Sequence, residues 1–253
     1  ALYATNDALV ARAARAFAQA GVNLSVNLTG NIYVNQSAAF SDFHVTGANP
    51  AGNASLTDTA SAVPGALPRR EQLADQLGAL GVGTDSRIVL YDSSPWNTSA
   101  RAWLMLRTFG AHDVAILDGG LAKWQAEGRD TTSGKETLRH RHFTVWADDK
   151  GLRTLDQMKA NVENGAEQVL DARSAARFTG EEPDPRPATH AGHIPGSKNL
   201  PYGALFNADG TWKTGDALKS AFESAGIDLD KPIVTTCGSG ITASVLAFGL
   251  HLL

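Results

Sequence analysis

The sole cysteine among 253 residues is Cys237, so the chain has a single thiol with which to do sulfur chemistry. It opens the run Cys237-Gly238-Ser239-Gly240-Ile241-Thr242-Ala243, followed by apolar residues that read as a helix. Two glycines let the backbone curl back on itself. The amides of the turn and the positive end of the helix dipole then favour an anion inside it. A thiolate is such an anion, so the loop is expected to hold Cys237 below the ordinary thiol range and nucleophilic near neutrality. The bland alternative is a small buried hydrophobe, but core packing has no need of Gly-Ser-Gly directly after the thiol. Two thiolate chemistries use a loop of this kind. Capture of a tetrahedral oxyanion, as in cysteine phosphatases and arsenate reductases, takes Cys-x5-Arg, with the arginine as a bidentate clamp. Here the sixth position after Cys237 is Ala243, and no residue of the loop is basic. Sulfur transfer is therefore the leading reading. A redox sensor would want a resolving cysteine, which the chain lacks. One cysteine also excludes an intrachain disulfide and a multi-cysteine zinc site.

The elements that must position this loop emerge from an internal repeat. Leu73, Leu77, Gly81, Val82, Asp85, Ile88 and Val89 recur 145 positions later as Leu218, Phe222, Gly226, Ile227, Asp230, Ile233 and Val234. Both copies spell apolar positions four apart on a helix face, a glycine stop and a short β-branched strand. A gapped continuation matches residues 106–109 to 250–253 at a spacing of 144. Two copies are too few for a solenoid and indicate a duplicated α/β domain. The first copy predicts helix 69–79, strand 87–91, helix 98–109, strand 114–117 and helix 121–127. The second predicts helix 155–162, strand 168–170, helix 215–224, strand 233–236 and helix 242–253. Short apolar strands between amphipathic helices imply mainly parallel sheets covered by helices. Such folds present their chemistry where strands end and helices begin, and the repeat places Cys237 there, opposite Asp92 of the first copy.

The expected organisation is a first domain over 1–130, a linker over 131–150 and a second, catalytic domain over 151–253. The second copy breaks off before any counterpart of strand 114–117 and helix 121–127, and is read as lacking that last unit. Residues 10–21 read as a short Ala-rich helix. The tract Arg139-His140-Arg141-His142 is read as part of a solvated linker rather than as a metal or anion site. Apolar residues make up 43% and charged residues 19%, an ordinary globular mix, and the net charge of −4 gives no basic footprint for nucleic acid or anionic lipid. No apolar run approaches the roughly 18–20 residues of a membrane helix. The sequence does not open on a basic segment leading into an apolar core, so a cytoplasmic chain is expected.

The residues then match a known family. The loop Cys237 to Ala243 resembles the active-site loop of 3-mercaptopyruvate sulfurtransferases, tandem-domain members of the rhodanese superfamily. The resemblance extends to Asp171-Ala172-Arg173, Arg177-Phe178-x-Gly180, Pro185-Arg186 and Gly192-His193-Ile194-Pro195-Gly196-Ser197-Lys198-Asn199. In the first copy, Leu117-Asp118-Gly119-Gly120-Leu121-x-x-Trp124 looks like the family's inactive-domain signature. The resemblance implies two rhodanese-like α/β domains and a sulfurtransferase. Cys237 would take sulfur as a persulfide and hand it to a thiol or cyanide acceptor, a thioredoxin-like protein among them. It implies Arg177 and Arg186 as binders of a keto-acid donor, and Ser239 as a hydroxyl assisting proton transfer. Gly238, Gly240, Ile241 and Thr242 would line the donor, with Thr242 bonding within the loop or capping the helix. No metal or organic cofactor is implied, since the persulfide carries the sulfur. His193 reads as part of a Pro-Gly turn. Thiosulfate sulfurtransferases of this architecture usually carry basic residues where this chain has Gly238 and Ser239, so 3-mercaptopyruvate is favoured as donor and thiosulfate comes second. A non-catalytic binding module is the different-class alternative. Where relatives often carry His-Met-Leu-Pro, this chain has Gly65-Ala66-Leu67-Pro68, which leaves Asp58 as the candidate first-domain acid.

Overall fold

The structure, a computed structural model, describes residues 66–91, 97–130, 139–146, 151–183 and 190–253. The chain divides into two compact units, Ala1–Asp148 with Ala208–Thr211, and Asp149–Asn207 with Trp212–Leu253.

In the first unit, helix α1 (Arg70–Ala79) leads to strand β1 (Ile88–Leu90), helix α2 (Ser99–Thr108), strand β2 (Val114–Ile116) and helix α3 (Gly120–Ala126). Strands β1 and β2 run parallel, Ile88 opposite Val114 and Leu90 opposite Ile116. The predicted face of α1 is the one that packs: Leu73 and Leu77 are buried with Ile88, Leu90 and Leu106. The helix stops as its sequence requires. Gly81 takes a φ of 76°, its N–H donates to the Gly78 carbonyl, and the Val82 N–H donates to that of Leu77. This is a Schellman cap, with an apolar residue on either side of the glycine.

Residues 139–146 refine one expectation. Arg139, His140 and His142 of the Arg-His tract are exposed, as a solvated tract should be, but Arg141 and the backbone around it are laid against the first unit. Arg141 donates its backbone N–H to Gly78 and its guanidinium to Asp85 at 3.1 Å and Ser86 at 3.3 Å. Thr84 donates to the His142 carbonyl and accepts from the Thr144 N–H at 2.8 Å, while Phe143 is buried. A Cβ at Gly78 would lie 2.5 Å from the Arg141 carbonyl oxygen, so the glycine is what admits the segment.

The second unit carries α4 (Leu155–Asn164), β3 (Gln168–Asp171), α5 (Ala175–Thr179), β4 (Lys198–Asn199), a 3-10 turn (Tyr202–Leu205), α6 (Gly215–Ser224), β5 (Ile233–Thr236) and α7 (Ile241–His251). Among its described residues three strands run parallel in the order β4-β3-β5. Helix α6 repeats the terminus of α1: Gly226 has a φ of 79°, and the Ile227 N–H donates to the Phe222 carbonyl. Leu218 and Phe222 are fully buried. Helix α4 is different. It has a complete capping box between Thr154 and Gln157, yet the residue it buries is Asn161, whose carboxamide clips both backbone groups of Glu167. Leu155 and Val162 of the same helix stay exposed.

The predicted strand 233–236 and helix 215–224 coincide with β5 and α6, and the last helix begins one residue earlier than expected and ends at His251. Elements α5, β4 and the 3-10 turn were not foreseen. Two to five residues long, they carry no readable periodicity. The predicted helix over 10–21 lies outside the described residues. No helix among the described residues is long and apolar enough to cross a membrane.

Candidate active site

Parallel pairing brings the carboxyl ends of β3 and β5 together, with Asp171 opposite Thr236. The Ala172 N–H donates to the Thr236 carbonyl at 2.9 Å, which fixes the backbone one residue ahead of Cys237. The chain then turns sharply. Gly240, at a φ of 77°, is the N-cap of α7, and its N–H lies 3.1 Å from the Cys237 sulfur. An L side chain at that φ would be strained by roughly 1–2 kcal/mol, so the glycine is required by the turn itself. The Ser244 hydroxyl, buried in α7, donates to the Gly240 carbonyl at 2.6 Å and pins the turn from behind.

Two opposing influences act on the half-buried Cys237 thiol. Burial, the largest, pushes its pKa up; against it the Thr242 hydroxyl and the backbone N–H groups of Ser239, Ala243 and Gly240 donate to the sulfur. The donors prevail, and the thiol sits below its ordinary value. This is the amide nest expected from the loop, with one addition. The Thr242 side chain is among the influences that lower the thiol, and no side chain caps α7, whose N-cap is Gly240. Ser239 meets the sulfur through its backbone N–H. Gly238 is exposed at the tip of the loop, and Ile241 opens α7.

Arg177 lies on α5, which follows β3, so it stands at the same end of the sheet as Cys237. Ser174 caps this short helix by accepting the Arg177 N–H. Arg186 and Asp58 lie outside the described residues, as does Asp92.

A buried ion pair went unassigned in the sequence, although its motif was visible. Asp171 is 1% exposed, and its carboxylate accepts from Arg173 Nε at 3.0 Å and Nη2 at 2.6 Å. Arg173 Nη2 also donates to the Gly192 carbonyl at 2.8 Å, tying the strand end to the Gly-His-Ile-Pro-Gly segment. Asn199 closes the arrangement by donating its carboxamide to the carbonyls of both Asp171 and Arg173. The readable signal was the i, i+2 spacing of opposite charges at a strand end. Two long-range partners, the Gly192 carbonyl as acceptor and the Asn199 carboxamide as donor, were needed to show why Arg173 is held there. Among the described residues no cluster of His, Cys, Asp or Glu is placed to hold a metal ion.

With this geometry in hand, comparison with known proteins is informative. The rhodanese-like domain family matches residues 11–127 and 154–252. Human 3-mercaptopyruvate sulfurtransferase is 36% identical over 84% of this chain and 72% of its own length. The 3-mercaptopyruvate sulfurtransferase of Escherichia coli strain K12 is 40% identical over 83% of this chain and 74% of its own. A crystal structure of the Escherichia coli enzyme superposes with a TM-score of 0.77 at 29% identity, covering 96% of this chain and 93% of the other.

Proposed function

The chain belongs to the rhodanese family, and from that membership we propose that it moves a sulfane sulfur from 3-mercaptopyruvate to a thiol or cyanide acceptor through a persulfide on Cys237. In the first half-reaction the Cys237 thiolate attacks the donor sulfur. A new S–S bond forms, the donor C–S bond breaks, and its electron pair leaves as the enolate of pyruvate. The proton carried by the donor thiol ends on that enolate carbon, giving pyruvate and a deprotonated persulfide. In the second half-reaction a thiolate or cyanide attacks the outer sulfur, and the Cys237 thiolate departs unchanged. Atoms and charge balance in both steps without a metal or redox cofactor.

The single observation that carries this reading is the set of donors aimed at the sulfur in a loop that holds no cation. Amides and the Thr242 hydroxyl stabilise Cys237 as a thiolate, and later as the leaving group of the second step, where charge returns to the same atom. A phosphate would call for the arginine that the loop lacks. Arg177, and Arg186 with it, serve in this reading as planar cations for the donor's carboxylate and keto oxygen. Ser239 supplies a hydroxyl for proton transfer, while Gly238, Gly240, Ile241 and Thr242 line the donor. Residues 1–130 form the non-catalytic domain, 131–150 join it to the second, and 151–253 carry the catalysis. A thioredoxin-like protein is included among the acceptors of this reading, and the cytoplasm is its compartment.

Steady-state turnover tests the proposal. With 3-mercaptopyruvate and cyanide, pyruvate and thiocyanate should appear in equal amounts, and faster than thiocyanate appears from thiosulfate. Faster turnover from thiosulfate would make thiosulfate the donor. A folded chain inert toward both would favour a binding module instead.

A further inference from the structure

Helix α5 is five residues long, well short of the ~12–15 at which a helix begins to hold itself together in water. Its position must come from what it is packed against, and the contacts identify the support. The His193 ring lies face to face with Phe178, centroids 3.7 Å apart and planes 10° from parallel. His193 Nδ1 is 2.8 Å from the Phe178 carbonyl. A carbonyl can only accept, so Nδ1 carries the proton and donates. The Phe178 carbonyl is one of the groups that a helix leaves without an intrahelical partner at its C-terminal end, and His193 satisfies it. Beside it, Gly180 closes α5 at a φ of 86°, and a Cβ there would sit 3.1 Å from the Gly192 backbone nitrogen. The Gly192-His193 pair thus touches α5 along its last turn. The pair is itself held, because the Gly192 carbonyl accepts from Arg173, whose guanidinium is locked onto buried Asp171.

Phe178 directly follows Arg177. We propose that His193 is a positioning residue for the donor: by fixing Phe178 through its ring and its Nδ1–H, it fixes the backbone from which Arg177 reaches the substrate. His193 does not touch the reacting atoms. Its contribution is to donor binding and not to the chemistry at Cys237. The inference rests on the assignment of Arg177 to the donor made above.

The experiment compares steady-state kinetics with 3-mercaptopyruvate and cyanide for His193→Phe, His193→Asn and Arg177→Lys. His193→Phe keeps a flat ring over Phe178 but removes the donor, whereas His193→Asn keeps a short donor and loses the ring. The pH dependence of Cys237 alkylation is recorded for each. The expected result is a KM raised about 3–10-fold in His193→Phe, with kcat and the alkylation profile unchanged. In His193→Asn part of the rise is restored by the surviving donor. Arg177→Lys should raise KM at least as much. An unchanged KM in both His193 variants, alongside a raised KM in Arg177→Lys, overturns the role of His193 and leaves the donor site standing. An unchanged KM in Arg177→Lys overturns the donor site, and the inference with it. A His193→Phe variant that lowers kcat or shifts the alkylation profile overturns the inference too, since the residue would then support the whole loop.

Discussion

The helix-strand-helix segments of the two units share a scaffold and differ in one loop. Helices α1 and α6 bury the same apolar positions and end in the same Schellman cap, at Gly81 in one and Gly226 in the other. Strands β1 and β5 each pair with a parallel neighbour, and each leads through a loop to a largely buried helix, α2 or α7. After β1 the sequence runs Asp92-Ser93-Ser94-Pro95-Trp96, with neither a thiol nor a glycine. After β5 it runs Cys237-Gly238-Ser239-Gly240, and the backbone folds its amides onto sulfur. The lesson is that the common scaffold supplies a strand end and a helix start, while nucleophilicity depends on the turn geometry that glycine permits.

The strongest attack on this comparison is to exchange the nucleophile between the copies. Cys237→Ser should abolish persulfide formation, a loss of at least about a thousand-fold in turnover, as expected when a covalent nucleophile is removed. Adding Asp92→Cys to that variant should restore nothing, because the first loop has no glycine-built nest. Persulfide detected at position 92 by mass spectrometry would show that the strand end alone suffices.

A second prediction concerns how closely α7 is packed. At a spacing of 144, Gly249 of α7 stands where α2 carries buried Met105. The two units differ here because a Cβ at Gly249 would come 2.7 Å from Leu205 and 3.2 Å from Phe222. Gly249→Ala should therefore destabilise by about 1–3 kcal/mol through overpacking, measured by urea unfolding. Gly203→Ala, where a Cβ meets nothing within 4 Å, is the matched control. Equal midpoints for the two variants would mean that α7 is less tightly docked than the structure shows.

Next in size is the Thr242 bond to sulfur. Thr242→Val removes the strongest donor opposing burial, so the Cys237 thiol should titrate at higher pH. Alkylation near neutrality should then slow, by roughly tenfold if the thiol pKa climbs by about one. The sign for stability follows. The folded-state value is depressed below the unfolded one, so the thiolate contributes stability above the unfolded thiol pKa and loses it as pH falls through the folded value. The stability gap between wild type and Thr242→Val should accordingly be widest at alkaline pH and close on acidification. A gap that grows toward acid would contradict this assignment.

The smallest expected difference, that between two matched substitutions, tests the shared part of the comparison. Gly81→Ala and Gly226→Ala each force a side chain into left-handed backbone, costing about 1–2 kcal/mol. The two costs should agree within a few tenths of a kcal/mol, as read from unfolding midpoints. Clearly unequal costs would show that the repeated sequence is not energetically repeated.

The legibility of the molecule follows the range of its interactions. The helices and main strands could be read because their apolar periods and glycine stops are local, and the nest around Cys237 could be read because seven consecutive residues build it. Helix α5 and strand β4 are held instead by partners some 15 to 28 positions away, among them His193 for Phe178 and Asn199 for Asp171. The Arg-His tract was legible in part for the same reason. Arg139, His140 and His142 are exposed as its charges suggest, yet Arg141 finds Asp85 and Ser86 across more than fifty residues. The role of Thr242 was left open between loop and cap because both are short-range options; no side chain caps α7, which begins from Gly240.

The central claim is that Cys237 carries sulfur covalently. Its most direct test is single-turnover mass spectrometry of the protein after brief exposure to 3-mercaptopyruvate, with thiosulfate in parallel. The account predicts a gain of one sulfur mass, localised to Cys237 and removed by added thiol or cyanide, with 3-mercaptopyruvate loading faster. A folded protein that gains no sulfur from either donor, or gains it anywhere but Cys237, would contradict it.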